Sequence, residues 1–235
     1  MSHPSVHALI PAAGHSVRFG GTTLKQYAHL MGQPVIAHSI EAVSRHPAVA
    51  SVTVALAPDD GIFGELVAPA YPAVHTVTGG DSRAESVLNG LVAILERNPS
   101  CEWVLVHDAA RPCLPVAALR RLFTVGLASP HGAILAVPVS DTLKLADSAG
   151  CIEATVDRER LWAAQTPQLL RALELAEGLR EALAAGESPT DDAAALERAG
   201  LQPLLVDGPR SNIKITGPED LALAEFILQR QAMDE

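Results

Sequence analysis

The segment VHALIPAAGHSVRFGGTTLKQ, residues 6–26, decides how the rest of the chain is read. It opens on a short apolar run, Val6–Ile10, of the kind that suits a strand buried on both faces. It then abandons every period for small residues, glycines and two cations. A hydrophobic core has no use for such a loop, whereas open α/β sheets gather ligands at the carboxyl ends of their strands. Pro11, Ala12, Ala13 and Gly14 carry little or no side chain, so their backbone can approach a ligand closely. Arg18 can fork onto phosphate oxygens and Lys25 offers a mobile point charge. Taken alone, the stretch is either a phosphate site or a structural β–α turn with two solvated cations. It matches neither GxGxxG nor GxxxxGK[ST], so the dinucleotide and P-loop readings lose support.

The pattern that begins there repeats. SVTVALA (51–57), AVHTV (73–77), WVLVH (103–107) and GAILAVP (132–138) read as further strands. Helical periods lie between and after them. They are VIAHSIEAV (35–43), SRAESVLNGLVAILERN (82–98), PQLLRALELAEGLREALAAG (167–186) and PEDLALAEFILQR (218–230). The second opens on a capping box, Ser82 to Glu85, and Gly186 closes the third. Thr216 with Glu219 is the expected cap of the fourth. Alternating β and α elements predict an α/β fold with a doubly wound, mostly parallel sheet. DTLKLADSAGCIEATVDRERLW (141–162) breaks the rhythm with two extended runs about a DSAG turn. It reads as a hairpin, either an arm or an extra edge of the same sheet. The expectation is one domain over 1–235 with an inserted arm at about 139–162.

Composition narrows the function. Lys and Arg number 17 and Asp and Glu 27, a net charge of −10, which argues against nucleic-acid and anionic-membrane binding. An anionic ligand must then be met by a few placed cations. Three widely spaced cysteines read as a reducing compartment, and neither a membrane span nor a secretory leader is expected, so a cytoplasmic enzyme is. Of the scattered histidines only His3 and His7 share a helical spacing, so zinc is not expected.

Three more segments carry chemistry. In WVLVHDAARP the strand delivers Asp108 to its carboxyl end. A carboxylate beside a phosphate site needs a cation between them, so Asp108 is read as a Mg²⁺ ligand, or else as a helix cap or partner of Arg111. TGGDSRAES (78–86) frees the backbone and adds Asp81 and Ser86 at a helix start. NIKITGPED (212–220) is expected to end a strand with Lys214 and to aim it toward the same rim. No GxSxG elbow or Cys–His pair supports acyl chemistry. Cations, a metal and alignment are what phosphoryl or nucleotidyl transfer needs.

Together these segments resemble the 2-C-methyl-D-erythritol 4-phosphate cytidylyltransferase family of the non-mevalonate isoprenoid pathway. The matching pieces include IPAAG…R, LKQY, GGDSRAESV, VLVHDAARP, DTLK, TVDRERLW, QTPQ, PTDDAAALE and NIKITGPEDL, in family order over nearly the whole chain. The resemblance implies transfer of CMP from CTP to methylerythritol phosphate, with Mg²⁺ held by Asp108. Arg18 and Lys25 would stabilise charge on the α-phosphate. The backbone of Pro11, Ala12, Ala13 and Gly14, with Gly80, Asp81 and Ser86, would hold CTP. Acceptor contacts carry over to Arg111, Thr142, Arg158, Thr166, Thr190 and Lys214, with Arg158 and Lys214 positioning the incoming phosphate. The arm would cross to the other subunit of a homodimer. Ser16 stands where many members have Gly. The alternatives are a cytidylyltransferase for another polyol phosphate, such as ribitol 5-phosphate, and a non-catalytic CTP-binding regulator.

Overall fold

The computed structural model describes residues 5–14 and 24–234, so Arg18, Ser16 and the glycines at 20 and 21 lie outside the described residues. β1 (Val6–Pro11) leads the chain. A single 3₁₀ turn, Lys25–Tyr27, then precedes a two-stranded ribbon of β2 (His29–Leu30) and β3 (Gln33–Pro34). There follow α1 (Val35–Ser44), β4 (Val49–Leu56), α2 (Ile62–Leu66), β5 (His75–Thr78), α3 (Arg83–Arg97) and β6 (Trp103–Val106). The second half comprises α4 (Val116–Gly126), β7 (Gly132–Pro138), β8 (Leu143–Ala146), β9 (Ile152–Val156) and β10 (Trp162–Arg171). It ends with α5 (Ala172–Ala184), α6 (Asp192–Arg198), β11 (Leu204–Asp207) and α7 (Glu219–Asp234).

Seven strands form one sheet in the order β11-β7-β10-β6-β1-β4-β5, parallel except for β10, which runs antiparallel to both β6 and β7. Period-2 alternation on β1 explains the two layers. Val6, Ala8 and Ile10 enter one cluster with Ile36, Ile40, Phe63, Leu119 and Leu122. Leu9 enters the other, with Val87, Leu91 and Ile94 of α3, Leu175 and Leu179 of α5, and Leu196 of α6. Each fully buried Leu or Ile contributes on the order of 1.5–3 kcal/mol, so the doubly wound arrangement is what this pattern selects. A third cluster packs Ala224 of α7 and Ile215 against Leu30 and Cys113.

Four expectations are corrected. No strand covers residues 212–216, so Lys214 lies on an irregular segment between β11 and α7. The helix expected to begin at Pro167 begins at Ala172, because residues 167–171 belong to β10. Leu169 and Leu170 are fully buried between β6 and β7, and a short apolar run of this kind has no period to separate strand from helix. The run 73–77, expected to be buried on both faces, is the exposed edge strand β5, which pairs with β4. The carboxylate folding back at the start of α7 is Asp220, not Glu219: Oδ2 accepts from Thr216 N, Thr216 Oγ1 and Gly217 N at 2.7, 2.9 and 3.0 Å. Thr216 is therefore a donor there, the reverse of an N-cap. The capping box at Ser82 and Glu85 forms as expected, and Gly186 (φ +74°) follows α5.

β8 and β9 pair with each other in a two-stranded sheet apart from the main one. Leu143, Leu145 and Ile152 on this hairpin, and Trp162 at its root, are exposed.

Gly132, where β7 begins, has φ +87°, and a Cβ there would strike the Leu169 carbonyl oxygen of β10. Gly132→Ala should therefore cost roughly 2–4 kcal/mol, from the left-handed backbone and the collision together. A shift of the urea midpoint would show it; an unchanged midpoint would contradict the close β7–β10 approach.

Candidate active site

Several chain segments meet at the carboxyl ends of β1 and β6. β1 releases its backbone at Pro11, and Ala12 N is tied to Ala55 O at 2.7 Å, which keeps residues 12–14 along the cleft wall. A Cβ on Gly14 would meet no atom of the described residues within 4 Å. Lys25 reaches the cleft from the 3₁₀ turn, whose neighbours fix it. Gln26 Nε2 donates to Ala12 O at 3.1 Å, and Tyr27 Oη donates to Asp60 Oδ2 at 2.6 Å.

The opposite wall is the 79–82 loop with the first turn of α3. A Cβ on Gly79 would lie 2.6 Å from Ala13 Cβ and 2.8 Å from Ser86 Oγ, so the two walls approach within a distance that only glycine permits. The Ser86 hydroxyl is buried; it accepts from Gly80 N at 3.0 Å and lies 2.9 Å from Ser82 O. Its proton serves the loop. Gly80, Asp81 and Ser82 line the cleft beside it.

Asp108 stands just beyond the carboxyl end of β6, and among the described residues three cations surround it. Lys214 Nζ lies 2.9 Å and Arg111 Nε 3.4 Å from Oδ2, while Arg83 Nε lies 3.4 Å from Oδ1. Burial would raise this carboxyl, but the charges of Arg83, Lys214 and Arg111 overturn it and hold Asp108 well below the usual carboxylate range. Lys214 is brought there by its neighbour, since Ile215 N bonds to Ala110 O at 2.8 Å. Arg111 spans Asp108 and the Asn212 carbonyl, which Nη1 reaches at 2.7 Å.

Beneath Asp108 its own N–H donates to Thr166 Oγ1 at 2.9 Å, and that hydroxyl is 3.1 Å from His107 Nδ1. Burial lowers His107 to about 4, so the ring is neutral at pH 7. With Nε2 3.0 Å from the Arg111 carbonyl, an acceptor only, the tautomer is Nε2–H and Nδ1 receives the Thr166 proton. His107 is a support for the loop, not a proton carrier.

The sequence-named residues therefore divide. Pro11 to Gly14, Lys25, Gly80, Asp81, Ser86, Asp108 and Lys214 line one cleft, and Arg111 and Thr166 touch Asp108 from its edge and base. Thr142, Arg158 and Thr190 are exposed and lie outside the lining of that cleft; Arg158 Nη1 donates to the Ser140 carbonyl at the root of the hairpin. Two functional candidates were missed, Arg83 and Asp192. Arg83 Nη1 and Nη2 grip the two oxygens of buried Asp192 at 2.9 and 2.8 Å. Burial pushes the Asp192 carboxyl upward against the pull of that guanidinium. Both residues sit inside quoted motifs, GGDSRAES and PTDDAAALE, but their charges are more than a hundred positions apart and only the tertiary fold joins them.

A cleft of small-residue backbone, placed cations and the ionised carboxylate of Asp108 suits a nucleoside triphosphate. The comparisons with known proteins agree. The family model for 2-C-methyl-D-erythritol 4-phosphate cytidylyltransferase matches residues 6–230. A relative of that name from Xanthomonas campestris pv. campestris (strain 8004) is 52% identical over 229 residues, spanning 95% of this chain and 84% of its own. A crystal structure of 4-diphosphocytidyl-2C-methyl-D-erythritol synthase superposes with a TM-score of 0.83 at 41% identity, over 96% of this chain and 100% of that one. The Francisella tularensis 2-C-methyl-D-erythritol 4-phosphate cytidylyltransferase follows at 0.80 and 30%, over 95% and 99%. Fold, cleft and sequence thus converge, and the chain belongs to the 2-C-methyl-D-erythritol 4-phosphate cytidylyltransferase family.

Proposed function

We propose that this cleft transfers CMP from CTP to 2-C-methyl-D-erythritol 4-phosphate, releasing pyrophosphate and forming 4-diphosphocytidyl-2-C-methyl-D-erythritol. The observation that carries the assignment of roles is the grouping of Lys25, Lys214 and Asp108 against the bare backbone of residues 11–14 and 80–82. The acceptor phosphate has a second pKa of about 6, so it is largely a dianion at neutral pH and needs no general base. One of its oxygens attacks the α-phosphorus in line, the new P–O bond forms, and the bond to the pyrophosphate oxygen breaks. Repulsion between two polyanions is the main barrier. Lys25, with Arg18, would meet charge on the α-phosphate, and Lys214, with Arg158, would hold the incoming phosphate.

A divalent cation fits the donor set. Among the described residues no group of three or more His, Cys, Asp or Glu could hold a metal. A cation would therefore rest on Asp108, the triphosphate oxygens and water, the shell that Mg²⁺ favours. Asp108 is ionised, and among the described residues Oδ1 meets only the long 3.4 Å contact to Arg83. When bound, magnesium would neutralise charge gathering on the departing pyrophosphate.

Arg158 and Thr142, remote from the cleft lining of their own chain, are proposed to serve the neighbour's site in a homodimer joined by the arm, with Thr190 contacting the acceptor. The exposed Leu143, Leu145, Ile152 and Trp162 support that reading. The soluble substrates favour a cytoplasmic setting.

Pyrophosphate release from CTP, with methylerythritol 4-phosphate and ribitol 5-phosphate in parallel, tests the assignment. Release only with the first is expected; release only with the second would move the enzyme to another acceptor. Asp108→Asn should raise the Mg²⁺ concentration for half-maximal rate by about 10-fold or more, and an unchanged metal profile would remove Asp108 as ligand.

A further inference from the structure

The buried partner of Arg83 has a definite geometry. The guanidinium forks onto Asp192 at 2.8 and 2.9 Å, yet reaches Asp108 only through Nε at 3.4 Å. Charge-assisted hydrogen bonds of this type ordinarily close to about 2.7–2.9 Å. The grip on Asp192 is therefore complete and the contact with Asp108 is not. Arg83 faces two carboxylates and has given its fork to the one further from the ligand.

Asp192 can hold it there because its own position is fixed. It is the first residue of α6, with no solvent exposure, and the residue before it caps that helix: Asp191 Oδ1 accepts from Ala194 N at 2.9 Å. Gln168 of β10 fastens the same turn twice, donating to Asp191 Oδ2 and accepting from Ala193 N, both at 2.9 Å. β10 in turn carries Thr166, which supports Asp108 from below. Asp192 and Asp108 are thus mounted on one frame, and Arg83 is stretched between them.

The geometry points to Asp192 as a positioning residue that restrains Arg83, so that Asp108 Oδ1 stays open to a divalent cation. This deepens, and depends on, the reading of Asp108 as a metal ligand. Were Asp192 uncharged, the fork would be released and would close on Asp108. Oδ2 is already met by Lys214 at 2.9 Å, so both oxygens would then be occupied by protein cations. Arg83 would become a competitor of the metal. The same tie links the 190–192 turn, which carries Thr190, to the head of β6.

The test is metal binding, read without turnover. Mn²⁺ is titrated into the full chain saturated with CTP, acceptor omitted, and followed by electron paramagnetic resonance. Asp192→Asn should weaken Mn²⁺ binding by about 10-fold, while Arg83→Gln, which removes the competitor, should bind at least as tightly as the native chain. The double variant should return to within about threefold of Arg83→Gln, since the two residues act through one contact. If the pair merely packs, both single variants loosen binding and the double is no better; that result overturns the inference. Equal Mn²⁺ binding by the native chain and Asp108→Asn overturns the ligand role of Asp108, and the inference with it. Loss in Asp108→Asn without loss in Asp192→Asn overturns the inference alone. Circular dichroism and Tm are read for each variant. If the single variants do not fold, the double variant, a neutral hydrogen-bonded pair of similar volume, decides: native-like or tighter binding supports the restraint, and looser binding overturns it.

Discussion

Lys25→Ala should lower kcat by about 10²–10³-fold with little change in Tm, the size of effect that follows loss of one preorganised charge-stabilising donor. The expectation follows from how the side chain is mounted. The 3₁₀ turn that carries Lys25 is secured by others, through Gln26 to Ala12 O and Tyr27 to Asp60. Removing the Lys25 side chain therefore leaves its backbone platform, and the Pro11–Gly14 wall, in place. What disappears is a cation facing the cleft, and its value is greatest where charge builds up in the transition state. KM for CTP should accordingly change much less than kcat. Steady-state pyrophosphate release over a range of CTP concentrations separates the two. A near-native kcat would remove Lys25 from the mechanism, while a loss confined to KM would leave it as a binding residue. Arg18→Ala carries the same expectation from the family resemblance.

The legible parts of the molecule were those written locally. The first strand, the capping box at Ser82, the placement of Asp108 at the end of β6 and the DSAG hairpin all depend on neighbours a few residues apart. β10 is illegible in the sequence for a definite reason. QTPQLLR contains a short apolar run with no period, and its strand identity comes from β6 and β7 on either side. α4 and β11 carry no comparable local signal, and both take their definition from packing against β7. At the site the individual charges were readable, but not their partners. The resemblance supplied Arg111 and Thr166 as acceptor contacts. The structure adds that Arg111 bridges Asp108 to Asn212 O, and that Thr166 gives its proton to His107. Ser86, in the first turn of α3, similarly gives its proton to the 80–82 loop that precedes the helix. Such commitments are long-range hydrogen-bond accounts, and no local pattern encodes them. Arg83 and Asp192 are the clearest instance, two charges that became a pair only when α3 and α6 packed on the same face of the sheet.

Mixing Lys25→Ala chains with Arg158→Ala chains should restore activity that neither possesses alone. Arg158 is exposed, tied to Ser140 O at the root of the hairpin, and absent from the lining of its own chain's cleft. A cation that is to hold the acceptor phosphate must nevertheless stand within a few ångströms of Lys214. An arm reaching across a two-fold axis meets both requirements, because an isologous dimer would exchange the two arms equally. In a mixed dimer one site would then combine both defects, and the other would contain an intact Lys25 with an intact Arg158 from its neighbour. Random exchange of equal amounts makes half the dimers mixed, each with one sound site, so about a quarter of native activity should return. If Arg158 instead served its own chain, every site in the mixed dimer would carry one defect, and activity would stay at the level of the separate variants. Differently tagged chains purified as mixed dimers make that second outcome decisive. The same preparation measured across protein concentration would show whether the sites work only when the chains are paired, as a shared arm requires.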